Sequence, residues 1–221
     1  MRAYPVLLRK DLRVELRSRD TFAAALTVAL LVALVSNVAF VDSVPFAVGF
    51  AGAFWAGLVF AAQVGLARTF VVEAERGTLQ GLLAGPAPSL SIYASKLTVQ
   101  TLVMAVVAVV VAAALLLFYS APAALLPLPW LLVVALGVLG IGLVTTLAAA
   151  MAMHGRNWML LVPLLSLPSL FPVLAAAVPA TTLLLSGAPV ALILPHLRVL
   201  AAFDIVFLTA AWLLVPTLLE P

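Results

Sequence analysis

Residues 97–119 read LTVQTLVMAVVAVVVAAALLLFY, an apolar stretch without a charged side chain. A helix of about 20 such residues crosses the roughly 30 Å hydrocarbon core of a bilayer. Five further apolar runs flank this one, at residues 21–41, 45–67, 129–153, 158–178 and 197–219. The runs are continuously apolar and do not alternate, which indicates helices and not a barrel. The sequence therefore predicts an all-α membrane protein with six transmembrane helices.

The composition supports this class and excludes several others. Hydrophobic residues make up 66% of the chain, charged residues only 9%, and the mean hydropathy is +1.30, so a soluble globular protein is excluded. The first apolar run is too long for a secretory signal, and five more follow it, so we expect it to be a retained helix. There is no cysteine, which excludes disulfides and thiolate chemistry.

The net charge of +3 is explained by the orientation of the chain in the membrane and not by nucleic-acid binding. Ten of the eleven Lys and Arg residues fall on one side of the predicted spans, and only Arg198 falls on the other. The ten comprise Arg2, Arg9, Lys10, Arg13, Arg17, Arg19, Arg68, Arg76, Lys96 and Arg156. The positive-inside rule then places both termini in the cytoplasm of a multi-pass inner-membrane protein.

We divide the chain into a cytoplasmic amphipathic helix at residues 1–19 and a six-span membrane domain at 20–221. Apolar residues recur in the helix at four-residue spacing, and arginines do so on another side: Tyr4, Leu8, Leu12 and Leu16 against Arg9, Arg13 and Arg17. This pattern fits anchoring to anionic membrane lipids, and it also fits contact with a cytoplasmic partner. The residues alone leave both alternatives open.

The longest polar interruption, residues 68–96, lies between the second and third spans. It contains Glu73-Ala-Glu-Arg-Gly-Thr-Leu-Gln80, and Ser89 or Ser91 can cap the helix that follows. A short charged helix end with a glycine and leucines suits a groove in another protein. The alternative is an ordinary solvated loop. The order acidic–x–acidic–basic–Gly–Thr–Leu–Gln, followed by a lysine that opens a helix, resembles the cytoplasmic segment of ABC-2-type permeases.

That resemblance implies a coupling helix that receives force from an ATP-binding subunit. The candidate coupling residues are Glu73, Glu75, Arg76, Gly77, Thr78 and Leu79. The charged side chains would orient the contact, Gly77 would set a bend, and Leu79 would fill the partner's groove. The sequence has no Gly-x-x-x-x-Gly-Lys-Ser/Thr motif, so we expect the chain not to be an enzyme and not to bind ATP phosphates in that way.

A narrower resemblance involves the fifth span. Residues 164–177, LLSLPSLFPVLAAA, are similar to a Leu-Pro-Leu-x-x-Pro-Val-Leu segment of the cytochrome c maturation permease family CcmB, also called haem exporter protein B. Residues 8–17, LRKDLRVELR, resemble the opening helix of that family. The resemblance extends over nearly the whole chain.

The CcmB resemblance implies a homodimeric permease that pairs with an ATPase subunit, CcmA, and works with CcmC and CcmD. Such an assembly delivers haem to the periplasmic chaperone CcmE, or releases the haem-loaded chaperone, for c-type cytochrome maturation. Haem is then a candidate cargo and not a tightly bound cofactor. Two alternatives remain from the residues: a generic ABC-2 exporter of lipid, drug or polysaccharide, and a non-transporting scaffold of a membrane complex.

Four residues are candidates for a cargo path or an outer-face contact: Asp204, His196, Pro168 and Pro172. Placing a carboxylate inside a membrane span costs free energy, so Asp204 is a functional candidate. Pairing with Arg198 is the structural alternative. His196 and the cytoplasmic His154 are candidate haem contacts, but a lone interfacial histidine more often has a capping role. The prolines of span five predict a broken helix, with short re-entrant helices over 179–196.

Two glycine sets are expected to permit close helix packing: Gly49, Gly52 and Gly57 in span two, and Gly137, Gly140 and Gly142 in span four.

Overall fold

The computed structural model describes residues 3–18, 20–40, 42–65, 81, 87–121, 127–153 and 158–219. Within these ranges the chain is helical and has no strand, which confirms the predicted all-α class. The helices are α1 (Ala3–Ser18), α2 (Asp20–Phe40), α3 (Phe46–Gly65), α4 (Ser89–Phe118), α5 (Leu128–Ala152), α6 (Trp158–Ser169), α7 (Phe171–Leu185) and α8 (Leu194–Leu219), with a 3₁₀ turn at Val190–Leu192.

The transmembrane helices follow the six apolar runs of the sequence. Five helices (α2, α3, α4, α5 and α8) are long and apolar enough to cross a bilayer, and α6 with α7 makes a sixth span when the bent pair is counted as one. Helix α4 has 30 residues, about 45 Å of rise, so its first turns extend beyond a hydrocarbon core of about 30 Å. Pro88 occupies its N-cap position without a side-chain cap, so the cap expected from Ser89 or Ser91 is absent.

Helices α2 and α3 form an antiparallel hairpin in which small residues bring the backbones together. Ala25, Ala29 and Ala33 recur every four residues on α2 and are fully buried. A Cβ atom at Gly57 would lie 3.1 Å from the carbonyl oxygen of Ala29, so this glycine permits the close approach. Gly52 has no neighbour within 4 Å of such an atom, so the packing role predicted for it is wrong.

The fifth span is broken among its prolines, as its sequence predicts, and the structure places the break at one point. Helices α6 and α7 meet at a bend of 53° between Ser169 and Phe171. Pro172 lacks the N–H that would bond to the carbonyl of residue 168, and in a straight helix its ring would clash with that carbonyl, so a bend here relieves the clash. Helix α7 then continues through Pro179 to Leu185. The irregular backbone expected over 179–196 is limited to residues 186–193 with their 3₁₀ turn.

Two clusters of buried side chains hold the bundle together. In the larger one, Phe54 contacts the ring of Trp55 edge-on at 5.2 Å and lies 5.3 Å from the ring of Trp130. The smaller cluster joins α1 to the ends of α4, α5 and α8 through Leu7, Tyr93 and other apolar residues. The N-terminal helix is therefore packed against the bundle.

Candidate functional site

The predicted coupling residues, Glu73, Glu75, Arg76, Gly77, Thr78 and Leu79, lie outside the described residues. Of the segment 68–96, the structure describes Gly81 and residues 87–96. Residues 89–96 form the first two turns of α4, and the same helix continues to Phe118. The described end of the predicted coupling segment is thus continuous with a transmembrane helix.

Helix α1 is joined to these first turns of α4 by polar contacts. The hydroxyls of Tyr4 and Thr98 lie 3.0 Å apart, and the Ser95 hydroxyl donates to Asp11 Oδ2 at 2.8 Å. Asp11 also pairs with Lys10, with 3.1 Å between Nζ and Oδ1. Lys96, at the end of the coupling segment, is only 2% exposed. Helix α1 therefore meets the described end of the predicted coupling segment, residues 89–96.

The face of α1 that packs on α4 differs from the predicted apolar row. Leu7 is buried, whereas Leu16 is 73% exposed. A four-residue spacing advances about 40° beyond one full turn, so the row from Tyr4 to Leu16 rotates by about 120° around the helix. Its last member consequently faces away from the bundle.

Asp204 is buried inside the bundle, with 6% of its surface exposed. It lies ten residues after Leu194, the first residue of α8, about 15 Å along the helix and close to mid-bilayer depth. Gly140 on α5 lies against its carboxyl group, and Val173 on α7 is beside the same position. Neither carboxyl oxygen has a hydrogen-bond partner in the described part of the chain.

The structural alternative for Asp204, a pair with Arg198, is not formed. Six residues on a regular helix place the two side chains about 120° apart around the axis. Helix α8 is helical from Leu194, before Arg198, so no irregular start brings them together. Arg198 is exposed, whereas Asp204 faces α5. An unpaired acid at this depth is a stronger functional candidate than a paired one.

The other candidate cargo residues do not converge on Asp204. Pro168 and Pro172 lie on either side of the bend between α6 and α7, and both are exposed. His196 lies near the start of α8, eight residues or about 12 Å along the helix from Asp204. Its ring is half-buried, and Nδ1 is buried without a hydrogen-bond partner. His154, the second candidate, lies outside the described residues.

Besides the two contacts between α1 and α4, sequence reasoning missed three polar pairs between the membrane helices. Trp55 Nε1 donates to Thr181 Oγ1 at 2.9 Å, and the Ser166 hydroxyl donates to Gln63 Oε1 at 2.9 Å. Together they attach α3 to the pair α6–α7 on both sides of the bend. The third pair joins Gln100 on α4 to Thr145 on α5. Glutamines inside apolar runs are a usable signal for such contacts, because a buried amide requires a partner.

The described residues contain no group of three or more His, Cys, Asp or Glu side chains that could hold a metal ion. His196 is the candidate imidazole for a haem contact among these ranges, since His154 is not described.

A family model described as CcmB protein matches residues 2–220. The chain belongs to the CcmB family. No curated protein matches it significantly. As a CcmB protein, the chain is a multi-pass inner-membrane protein and a permease component of a haem exporter for cytochrome c maturation. It works with the CcmA ATPase and other Ccm components. This membership favours the haem-exporter interpretation over a generic ABC-2 exporter.

Proposed function

We propose that ATP hydrolysis by a CcmA-like subunit drives this chain through residues 68–96. Glu73, Glu75, Arg76, Gly77, Thr78 and Leu79 form the coupling surface in this proposal. The driven step is delivery of haem, or release of the haem-loaded chaperone CcmE, on the periplasmic side. The chain itself does not hydrolyse ATP. It acts as a homodimer bound to two ATPase subunits, with CcmC- and CcmD-like membrane subunits.

The continuity of α4 is the observation that supports this proposal most directly. The helix starts within the coupling segment at Ser89 and runs without a break to Phe118. A displacement at its cytoplasmic end therefore reaches the opposite end of the span.

Two neighbours would move with α4. Helix α1 is joined to it by the Tyr4–Thr98 and Asp11–Ser95 contacts. Helix α5 is joined to it by Gln100 and by the Tyr93 hydroxyl, which donates to the Leu143 carbonyl at 3.3 Å. The buried amide, hydroxyl and carboxyl groups at these contacts restrict sliding, because separation leaves them unpaired. Coupling is thus expected to move α1, α4 and α5 together.

On the cargo side, we propose that Asp204, His196, Pro168 and Pro172 contribute to the path or to its outer end. Asp204 lies on α8 against α5, so a movement of α5 changes its environment directly. Among the described residues, the backbone is irregular at membrane depth where α6 and α7 meet at their bend. Irregular backbone at this depth must pack against protein or line a polar cavity. Both termini lie in the cytoplasm in this proposal, as the lysine and arginine distribution predicts.

The substitution Leu79→Asp tests the coupling surface. A carboxylate in place of an apolar anchor should prevent seating in the ATPase groove, so we expect c-type cytochrome yield to fall at least tenfold while the protein remains inserted in the membrane. Leu79→Met keeps the volume and polarity and is the matched control, with near-normal yield expected. Normal cytochrome yield and normal ATPase coupling in Leu79→Asp would contradict the assignment.

A further inference from the structure

Three arginines on α1 form a ridge that has no counter-charge in the described part of the chain. Arg9, Arg13 and Arg17 follow one another at four-residue spacing, and all three side chains are exposed. Like charges at this spacing repel one another on a helix. The described residues offer them no ion pair, since the salt bridge of α1 joins Lys10 to Asp11. The ridge therefore suits an anion from outside the chain.

The acidic residues of α1 are directed elsewhere. Asp11 accepts a hydrogen bond from Ser95 on α4 and pairs with Lys10. Glu15 is half-buried. Because two residues on a helix advance by about 200°, both carboxylates lie on a different side of α1 from the arginine ridge.

Exposed apolar side chains flank the same ridge. Val6 is 69% exposed and Leu16 is 73% exposed, and they lie on the side of α1 that faces away from α4. A hollow of about 760 Å³ along this side is lined by Lys10 and the three arginines together with Val6 and Val14. A free phosphate or an acidic soluble surface would use the arginines and leave these apolar groups in water. A phospholipid can contact both kinds of side chain, because its phosphate can bind the arginines while its acyl chains cover the apolar groups.

The position of α1 in the fold agrees with a lipid ligand. Only residue 19 separates α1 from α2, a membrane span, and α1 packs on the part of α4 that extends beyond the bilayer core. The helix is therefore at the height of the lipid headgroups. We propose that the face Val6, Arg9, Arg13, Leu16 and Arg17 is a binding surface for anionic phospholipid headgroups, with phosphates on the arginines and the acyl region against Val6 and Leu16.

A fluorescence-quenching experiment tests the proposal on the full chain. The chain has no cysteine, so Val14→Cys, an exposed position beside the proposed face and not part of it, provides a single site for a fluorophore. The labelled protein is reconstituted in phosphatidylcholine vesicles that contain nitroxide-labelled phosphatidylglycerol or, at the same mole fraction, nitroxide-labelled phosphatidylcholine. Each basic residue near an anionic surface contributes about a fivefold preference. We therefore expect phosphatidylglycerol to be preferred at this site by about tenfold or more at low salt.

Three further variants separate the lipid site from general effects. The preference should disappear in R9Q/R13Q/R17Q and decrease at high salt. It should persist in R9K/R13K/R17K, which retains the charge, and in Arg198→Gln, which removes an exposed arginine from the other end of the bundle.

Equal quenching by the two lipids in the labelled parent, or an unchanged preference in the glutamine variant, would overturn the proposal. Protection of the fluorophore only when the ATPase subunit is added would also overturn it and assign the ridge to a protein partner.

Discussion

Asp204 on α8 lies directly against Gly140 on α5. A Cβ atom at position 140 would be 2.9 Å from Oδ1 of Asp204 and 3.2 Å from Cγ2 of Val173. The absence of a side chain at position 140 is thus what admits a carboxyl group between α5 and α8 near the middle of the membrane.

The substitution Gly140→Ala should destabilise the protein. Alanine gains about 1 kcal/mol of helix propensity over glycine, but forcing apart the α5–α7–α8 contact is expected to cost about 1–3 kcal/mol. We expect a lower unfolding temperature in detergent and impaired haem-exporter function. Gly52→Ala is the matched control, because a Cβ atom there meets no neighbour within 4 Å. The same propensity gain should leave Gly52→Ala at or slightly above the parental unfolding temperature. A Gly140→Ala protein that unfolds at the same temperature as Gly52→Ala would contradict the close contact at Asp204.

The hydrogen bond between Trp55 and Thr181 should stabilise the contact between α3 and α7. Thr181→Val keeps the shape of the side chain but leaves the buried indole N–H without an acceptor, which costs about 1–3 kcal/mol. Thr182→Val provides the comparison, since that hydroxyl donates within its own helix, to the carbonyl of Val178. Thermal unfolding of both variants, and of each combined with Trp55→Phe, measures the pairwise coupling. Equal effects of Thr181→Val with and without Trp55 would argue against the bond.

Glu15 should make the docking of α1 dependent on pH. Burial raises the pKa of this carboxyl above its ordinary value of 4.5. The contribution of Glu15 to stability is fully present below pH 4.5, where its carboxyl group is protonated. It is lost as the pH rises through the raised folded-state pKa, because the buried carboxyl group then becomes charged. Glu15→Gln should therefore raise the unfolding temperature more at pH 8 than at pH 4. Asp42→Asn changes an exposed acid and should show no such trend. A pH-independent difference for Glu15→Gln would refute the expectation.

The bend between α6 and α7 should depend on Pro172. Pro172→Ala restores a backbone donor and removes the ring clash, so we expect a straighter span. Straightening a 53° bend would lengthen the distance between spin labels at Leu160→Cys and Ser186→Cys by up to about 4 Å. Pro179→Ala is the control, because α7 continues through that residue. An unchanged distance in Pro172→Ala would show that packing, and not the proline, sets the bend.

The transmembrane helices could be predicted because each requires only a local apolar run of sufficient length. The helix bounds accordingly agree with the runs to within a few residues, apart from the extension of α4 and, in the fifth span, the break and the continuation of α7 to Leu185. The location of that break was less predictable. Several prolines are candidates, and only packing decides that the chain bends at Ser169–Phe171 and not after Pro179.

The side-chain contacts were less accessible from sequence. Trp55 and Thr181 are far apart along the chain, and nothing local indicates their pairing. Asp204 was recognisable as a buried acid, but its neighbour proved to be Gly140 on another helix and not Arg198 on its own. Local spacing predicts which residues share a helix face, whereas the identity of the facing helix depends on the fold as a whole.

Affinity purification of the tagged chain from its native membrane, with mass spectrometry and a haem absorbance scan, tests the central claim most directly. We predict that CcmA-, CcmC- and CcmD-like subunits copurify and that the assembly shows haem absorbance. An unrelated ATPase, with no haem-handling subunit and no haem absorbance, would contradict a role in cytochrome c maturation.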